Sequence, residues 1–161
     1  MAAMPSPTAT ACTMAEIVLD ANILVAWLDE GDSQHARATA LLDRLEQLGH
    51  QVVLLDILLS EAISVLCRRA RERRDPPDLA LILEVAKRWV REDAVRWVAA
   101  EGEVYFEEVL GVVEETGGRL NFNDGLLVVL QRLAIIDDLA SLDTGFDVVT
   151  GFRRFGQPTS G

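Results

Sequence analysis

The sequence predicts an α/β domain with a mainly parallel sheet. Short runs of consecutive apolar residues occur near residues 16–20, 51–55 and 139–142, the pattern of strands buried on both faces. Between them lie stretches whose apolar residues recur at helical spacing. Glycine, proline or acidic residues punctuate the junctions. Strands that alternate with amphipathic helices fold as βα units around a parallel sheet.

Each element follows from its residues. Glu16-Ile17-Val18-Leu19-Asp20 reads as a buried strand ending in a carboxylate. Ile23 to Leu28 is a short helix with Asn22 as its cap, broken by Gly31-Asp32-Ser33. From Gln34 to Leu48, the positions Ala38, Leu41, Leu42, Leu45 and Leu48 make one apolar face, and Gly49 stops the helix. Gln51 to Leu55 is a second strand. Asp56 caps a long helix from Ile57 to Arg73, which Asp75-Pro76-Pro77-Asp78 ends. A fourth helix spans Leu79 to Val90, a weak strand Ala94 to Val98, and a fifth helix Glu101 to Glu115, closed by Gly117-Gly118. Asn123 caps a sixth helix, Asp124 to Leu133. Leu139 to Leu142 is a strand, a turn or short helix covers Thr144 to Phe146, and Asp147-Val148-Val149 reads as a last strand.

The length of 161 residues suits one domain with a single core. Residues 1–14 read as a disordered Ala-, Pro-, Ser- and Thr-rich tail, residues 15–155 as the domain and 156–161 as a C-terminal tail; Met14 is a candidate start. The first residues lack the basic start and apolar run of a secretory signal. No apolar stretch is long enough to span a bilayer, so no membrane is expected. Cys12 and Cys67 make neither a disulfide framework nor a zinc site, which fits a reducing cytoplasm. His35 and His50 lack metal-ligand spacing and read as surface residues. Trp27, Trp89 and Trp97 read as core or interface anchors rather than base-stacking platforms. The net charge is −11, which opposes a nucleic-acid partner. Arg68, Arg69, Arg71, Arg73 and Arg74 nevertheless concentrate positive charge in one window. They either favour the end of their helix or contact a phosphate backbone.

Asp20, Glu61, Asp124 and Asp143 carry the chemistry. Asp20 ends an apolar strand, Glu61 lies early in an apolar helix, Asp124 opens another helix, and Asp143 follows a strand. Strand C-termini and helix N-termini meet at one edge of such a sheet, where open α/β folds bind ligands. Each acid alone is explained as a cap or dipole partner. Together they repel one another and raise each other's pKa, a penalty that a divalent cation removes. Oxygen-only ligands suit Mg2+ or Mn2+.

These residues also stand in a recognisable order. Ile17-Val18-Leu19-Asp20-Ala21-Asn22-Ile23-Leu24, Ser60-Glu61, Asn123-Asp124-Gly125-Leu126-Leu127 and Ser141-Leu142-Asp143-Thr144-Gly145-Phe146-Asp147 resemble the successive motifs of PIN-domain proteins, from about Glu16 to Arg154. In length and layout the chain resembles the VapC-type toxins of bacterial toxin–antitoxin pairs. The resemblance implies a three-layer α/β/α sandwich with a short parallel sheet, and Mg2+- or Mn2+-dependent cleavage of RNA. It implies Asp20, Asp124, Asp143 and Glu61 as catalytic, metal-holding acids. Asn22, Ser60 and Asp147 would support them; Arg68, Arg69 and Arg71 are candidate RNA contacts on the strength of the charge cluster alone. A small antitoxin and a second copy of the chain are the implied protein partners. The alternatives are an idle PIN-like domain that binds protein or RNA, and a housekeeping PIN nuclease. Haloacid-dehalogenase phosphatases and response-regulator receivers fit poorly: Asn22 stands where the former need a second Asp, and Lys87, the only lysine, lies inside a helix.

Overall fold

A computed structural model describes residues 14–155; the expectations for residues 1–13 and 156–161 lie outside the described residues. Strands β1 (Glu16–Leu19), β2 (Gln51–Leu55), β3 (Val95–Arg96) and β4 (Asp138–Ala140) form one sheet in the order β3-β2-β1-β4. Every neighbouring pair is parallel. Helices α1 (Ala21–Leu28), α2 (His35–Gln47), α3 (Asp56–Glu72) and α4 (Leu79–Arg91) belong to the crossovers from β1 to β2 and from β2 to β3. Helices α5 (Ala99–Val104), α6 (Phe106–Glu115) and α7 (Phe122–Arg132) carry the chain from β3 back to β4. Right-handed crossovers that run in opposite directions place their helices on opposite faces. The packing agrees: α1 meets α2 and α3, α3 meets α4, and α6 meets α5 and α7. The result is the expected α/β/α layering.

Burial explains the strand sequences. Ile17, Val18 and Leu19 are buried on a central strand covered from both sides, so they need no polar alternation. Helix α7 is buried along Gly125 to Gln131, as a helix that is apolar nearly all round must be. Its polar exception is Gln131. The amide donates from Nε2 to the carbonyls of Asp137 (2.7 Å) and Arg153 (3.0 Å) and accepts from the Arg153 N–H (2.7 Å), which satisfies a buried polar group.

Several expected boundaries shift for identifiable reasons. Helix α1 starts at Ala21, because Asp20 rather than Asn22 is its N-cap and accepts from the Ala21 N–H. Asp56 is the first helical residue of α3, not its cap; its carboxylate accepts from the Val98 N–H at 2.7 Å and ties α3 to the end of β3. The single helix expected over 101–115 divides at Tyr105. Gly102, a poor helix former, precedes the break and faces α7, where a Cβ would make ordinary contact with Leu126 and Phe122. Asn121, not Asn123, caps α7, with Asp124 as the reciprocal acid of a capping box. The strand expected over 147–149 is instead part of a short 3-10 helix, Gly145–Val148. Arg154 takes the place beside β4, bridging Leu139 in parallel. Neither histidine is a free surface group: His35 Nδ1 meets the Ala26 carbonyl, and His50 packs edge-on against Phe155. Trp27 and Trp89 stack with centroids 6.1 Å apart, whereas Trp97 is 65% exposed and is no core anchor. Cys67 is a free thiol.

Candidate acidic site

The sheet order reverses beside β1: one set of crossovers leaves towards β2, the other returns to β4. The crevice outside the carboxyl ends of β1 and β4 is therefore the topological switch point, where such folds bind ligands. Asp20 follows β1 directly and Ser141 follows β4 directly. Glu61 comes from the second turn of α3 and Asp124 from the first turn of α7.

Asp20 is almost fully buried and is held by three donors: the Ala21 N–H at 2.7 Å, Asn22 Nδ2 at 2.9 Å and the Ser141 hydroxyl. Burial pushes its carboxyl up to about 6, against the opposing hydrogen bonds from Ser141 and Ala21; the charges of Asp124 and Glu61 push the same way as burial. Asp124 is also raised, first by burial and then by Glu61 and Asp143, although the Asn121 N–H favours its charged form. These couplings link Asp20, Glu61, Asp124 and Asp143 into one electrostatic group. Glu61 accepts from Asn123 Nδ2 at 3.3 Å. Asp143 is exposed, and its carboxylate accepts from the Gly145 N–H at 2.7 Å. A Cβ on Gly145 would lie 3.1 Å from that carboxylate, so a larger residue there would have to displace the Asp143 side chain.

Of the supporting residues, Asn22 takes part fully. It donates to Asp20 and to Ser141 Oγ (3.0 Å), and its Oδ1 accepts from the Leu142 N–H (3.1 Å). Ser60 does not: it is exposed, and its hydroxyl donates to the Ile57 carbonyl of its own helix. Asp147 is paired with Arg154 at 2.7 Å and is not among the charges that shift Asp20 or Asp124. Two residues not assigned to the site from the sequence matter here. Ser141 joins Asp20, Asn22 and the Asp143 N–H (3.0 Å); its position two residues before Asp143 was the available signal. Asn123, expected as a cap, holds Glu61 instead.

The arginine cluster divides. Arg68, Arg71 and Arg74 are exposed. Arg69 is bound by Asp29 (2.7 Å) and Asp32, and Arg73 by Asp29 (2.8 Å). The backbone N–H of Gln34 and the Arg69 guanidinium hold Asp32 below the ordinary carboxylate range, despite the opposing effect of burial. This network fixes the loop after α1 to α3. Together they wall an open groove of about 480 Å³, lined by Asn22, Asp32, Gln34, Glu61, Arg69 and Asp143 among others.

Among the described residues, no group of three or more His, Cys, Asp or Glu is gathered tightly enough to hold a metal ion as it stands. The donor chemistry nevertheless fits a hard cation: the group is all oxygen, neighbouring acids add to the burial that raises Asp20 and Asp124, and a bound cation would favour their charged forms.

The family model of the PIN domain matches residues 17–151, so the chain belongs to the PIN-domain family. Among solved structures, it is similar to the toxin VapC20 of Mycobacterium tuberculosis, described as cleaving the sarcin-ricin loop: 21% identity, a TM-score of 0.60, and coverage of 84% of this chain and 95% of that one. It is also similar to VapBC2 of Rickettsia felis, solved with a DNA fragment from their promoter, at 14% identity and a TM-score of 0.57, covering 86% and 96%. A third likeness is PAE2754 of Pyrobaculum aerophilum, at 20% identity and a TM-score of 0.55, covering 93% and 92%. No curated protein sequence matches the chain. At these identities the solved structures speak for the fold: the PIN α/β/α sandwich. No helix among the described residues is long and apolar enough to cross a membrane.

Proposed function

We propose that the chain is a metal-dependent endoribonuclease acting as the toxin of a toxin–antitoxin pair. The observation that carries this reading is that Asp20, Glu61, Asp124 and Asp143 meet at the switch point, where burial first, and then the charge of acidic neighbours, raises Asp20 and Asp124. Asp20, Asp124 and Asp143 would hold Mg2+ or Mn2+, with Glu61 completing the shell or orienting water. When bound, such an ion offsets phosphate charge and makes water a nucleophile at neutral pH.

The chain's own residues supply the positioning. Ser141 and Asn22 fix the Asp20 carboxylate, Asn123 orients Glu61, and Gly145 turns Asp143. The groove admits a strand of RNA between the loop after α1 and the turn after β4. For a protein partner or a second copy, the fold offers a separate apolar groove of about 460 Å³ between α3 and α4, lined by Leu59, Ile63, Leu83, Ala86 and Val90.

The test is cleavage of a panel of labelled RNAs in EDTA, Mg2+ or Mn2+, with Asp20→Asn alongside. Metal-dependent cleavage that the variant loses, with its fold retained, is the expected result. Full activity in Asp20→Asn would sink the reading. No cleavage and no Mn2+-induced thermal stabilisation would point to an idle binding domain, because a ligand of the folded state raises Tm.

A further inference from the structure

We propose that Arg154 is a positioning residue of the acidic site, holding the turn that presents Asp143. It lies beyond the residues matched by the family model, in the segment that follows the 3-10 helix. Its side chain is only 6% exposed. From there Nη1 donates to the carbonyls of Asp143 (2.6 Å) and Ser141 (3.4 Å), and Nη2 donates to Asp147 (2.7 Å). All three acceptors belong to the turn that carries Asp143, and the first two are backbone. A guanidinium presents its donors in a fixed fork, so it sets the direction of that turn as well as its charge.

The base of the fork is anchored independently. The Gln131 amide grips both the N–H and the carbonyl of Arg153. The Leu139 N–H donates to the same carbonyl at 3.2 Å, and the Phe155 N–H donates to the Leu139 carbonyl at 2.8 Å. Arg154 is thus delivered from α7 and β4, the elements that also lead to Asp124 and to Ser141. Its Nε is buried without a hydrogen-bond partner among the described residues. A side chain kept only to fill space would not need to bury an unmet donor. The arrangement accounts for Arg154 as an outer support of an acidic ligand, a role whose loss weakens metal affinity without removing any ligand.

The consequence for metal rests on the nuclease reading, so the experiment has two independent readouts. The first is amide hydrogen exchange in metal-free protein, comparing wild type with Arg154→Gln and Arg154→Lys. The neighbouring Arg153→Gln, whose side chain pairs with Asp138 at the surface, is the control. Exchange is expected to quicken over residues 141–147 in Arg154→Gln, less so in the Lys variant, and to stay unchanged over α7 and in the control. The second is thermal stabilisation by Mn2+: the concentration for half the full shift should rise about 10- to 100-fold in Arg154→Gln.

Unchanged exchange over 141–147 overturns the proposal, as does exchange that quickens throughout the fold. If Arg154→Gln does not fold, Arg154→Lys decides the same comparison. If wild type itself fails to respond to Mn2+, the metal reading falls, and the exchange result still decides the role of Arg154.

Discussion

Asp20 keeps a carboxylate where burial disfavours its charge, and this has a measurable sign. Its pKa moves from 3.8 to about 6 in the folded protein. The folded state therefore binds a proton that the unfolded state releases between those values, and stability falls as pH rises through that window. At about 1.4 kcal/mol per pH unit, full ionisation costs the metal-free fold about 3 kcal/mol. Relative to Asp20→Asn, wild type in EDTA should gain stability as pH falls from about 7 to about 4, a difference readable from paired thermal melts. Parallel melting curves at every pH would show that Asp20 is not perturbed. Saturating Mn2+ should abolish the difference if Asp20 is a ligand, because a cation favours the charged form.

At the scale of elements, glycines separate packing from propensity. Gly125 lies on α7 where a Cβ would come within 3.2 Å of both the Val109 side chain and its carbonyl, whereas Gly111 on α6 has nothing within 4 Å. Gly111→Ala should stabilise the fold by about 0.5–1 kcal/mol through helix propensity alone. Gly125→Ala should instead lower stability by up to about 2 kcal/mol, because overpacking outweighs the same gain. Urea denaturation of both variants is the check, and equal stabilisation would mean that α6 and α7 are not in close contact there. The same scale shows what the sequence reveals. Strands β1 and β2 and helices α2 to α4 are legible because a continuous apolar run or a helical stripe reflects burial directly. The break at Tyr105 is not, because the apolar pattern runs through it and Gly102 alone only weakens a helix. The candidate acids stand out because each interrupts an apolar pattern, Asp20, Asp124 and Asp143 at or beside an element's end and Glu61 in the second turn of α3. The parts played by Ser141 and Asn123 are not legible, since each is settled by long-range pairing that the local pattern does not encode: Ser141 reaches Asp20 across 121 positions and Asn123 reaches Glu61 across 62.

For the whole molecule, charge is the governing quantity. A net charge of −11 repels a polyanion, so any RNA must approach along a local basic surface. Arg69 and Arg73 are occupied by Asp29 and Asp32, which leaves Arg68, Arg71 and Arg74 as exposed members of the cluster with no acid among the described residues paired to them. Replacing these three with Gln should weaken single-stranded RNA binding. It should also reduce the slope of log affinity against log salt by up to about 2, at about 0.7 for each phosphate that is no longer neutralised. Fluorescence anisotropy over a salt series measures this, and an unchanged slope would assign the cluster to the helix end alone.

The mutual repulsion at the switch point also bears on how such a chain evolves. With no cation bound, burial and neighbouring charge disfavour the ionised forms of Asp20 and Asp124. Substitutions that discharge Asp20 or Asp124 relieve that repulsion, although they surrender the site. On the proposed reading, a lineage selected only for folding and abundance would drift towards losing these residues, since stability and function would pull on them in opposite directions.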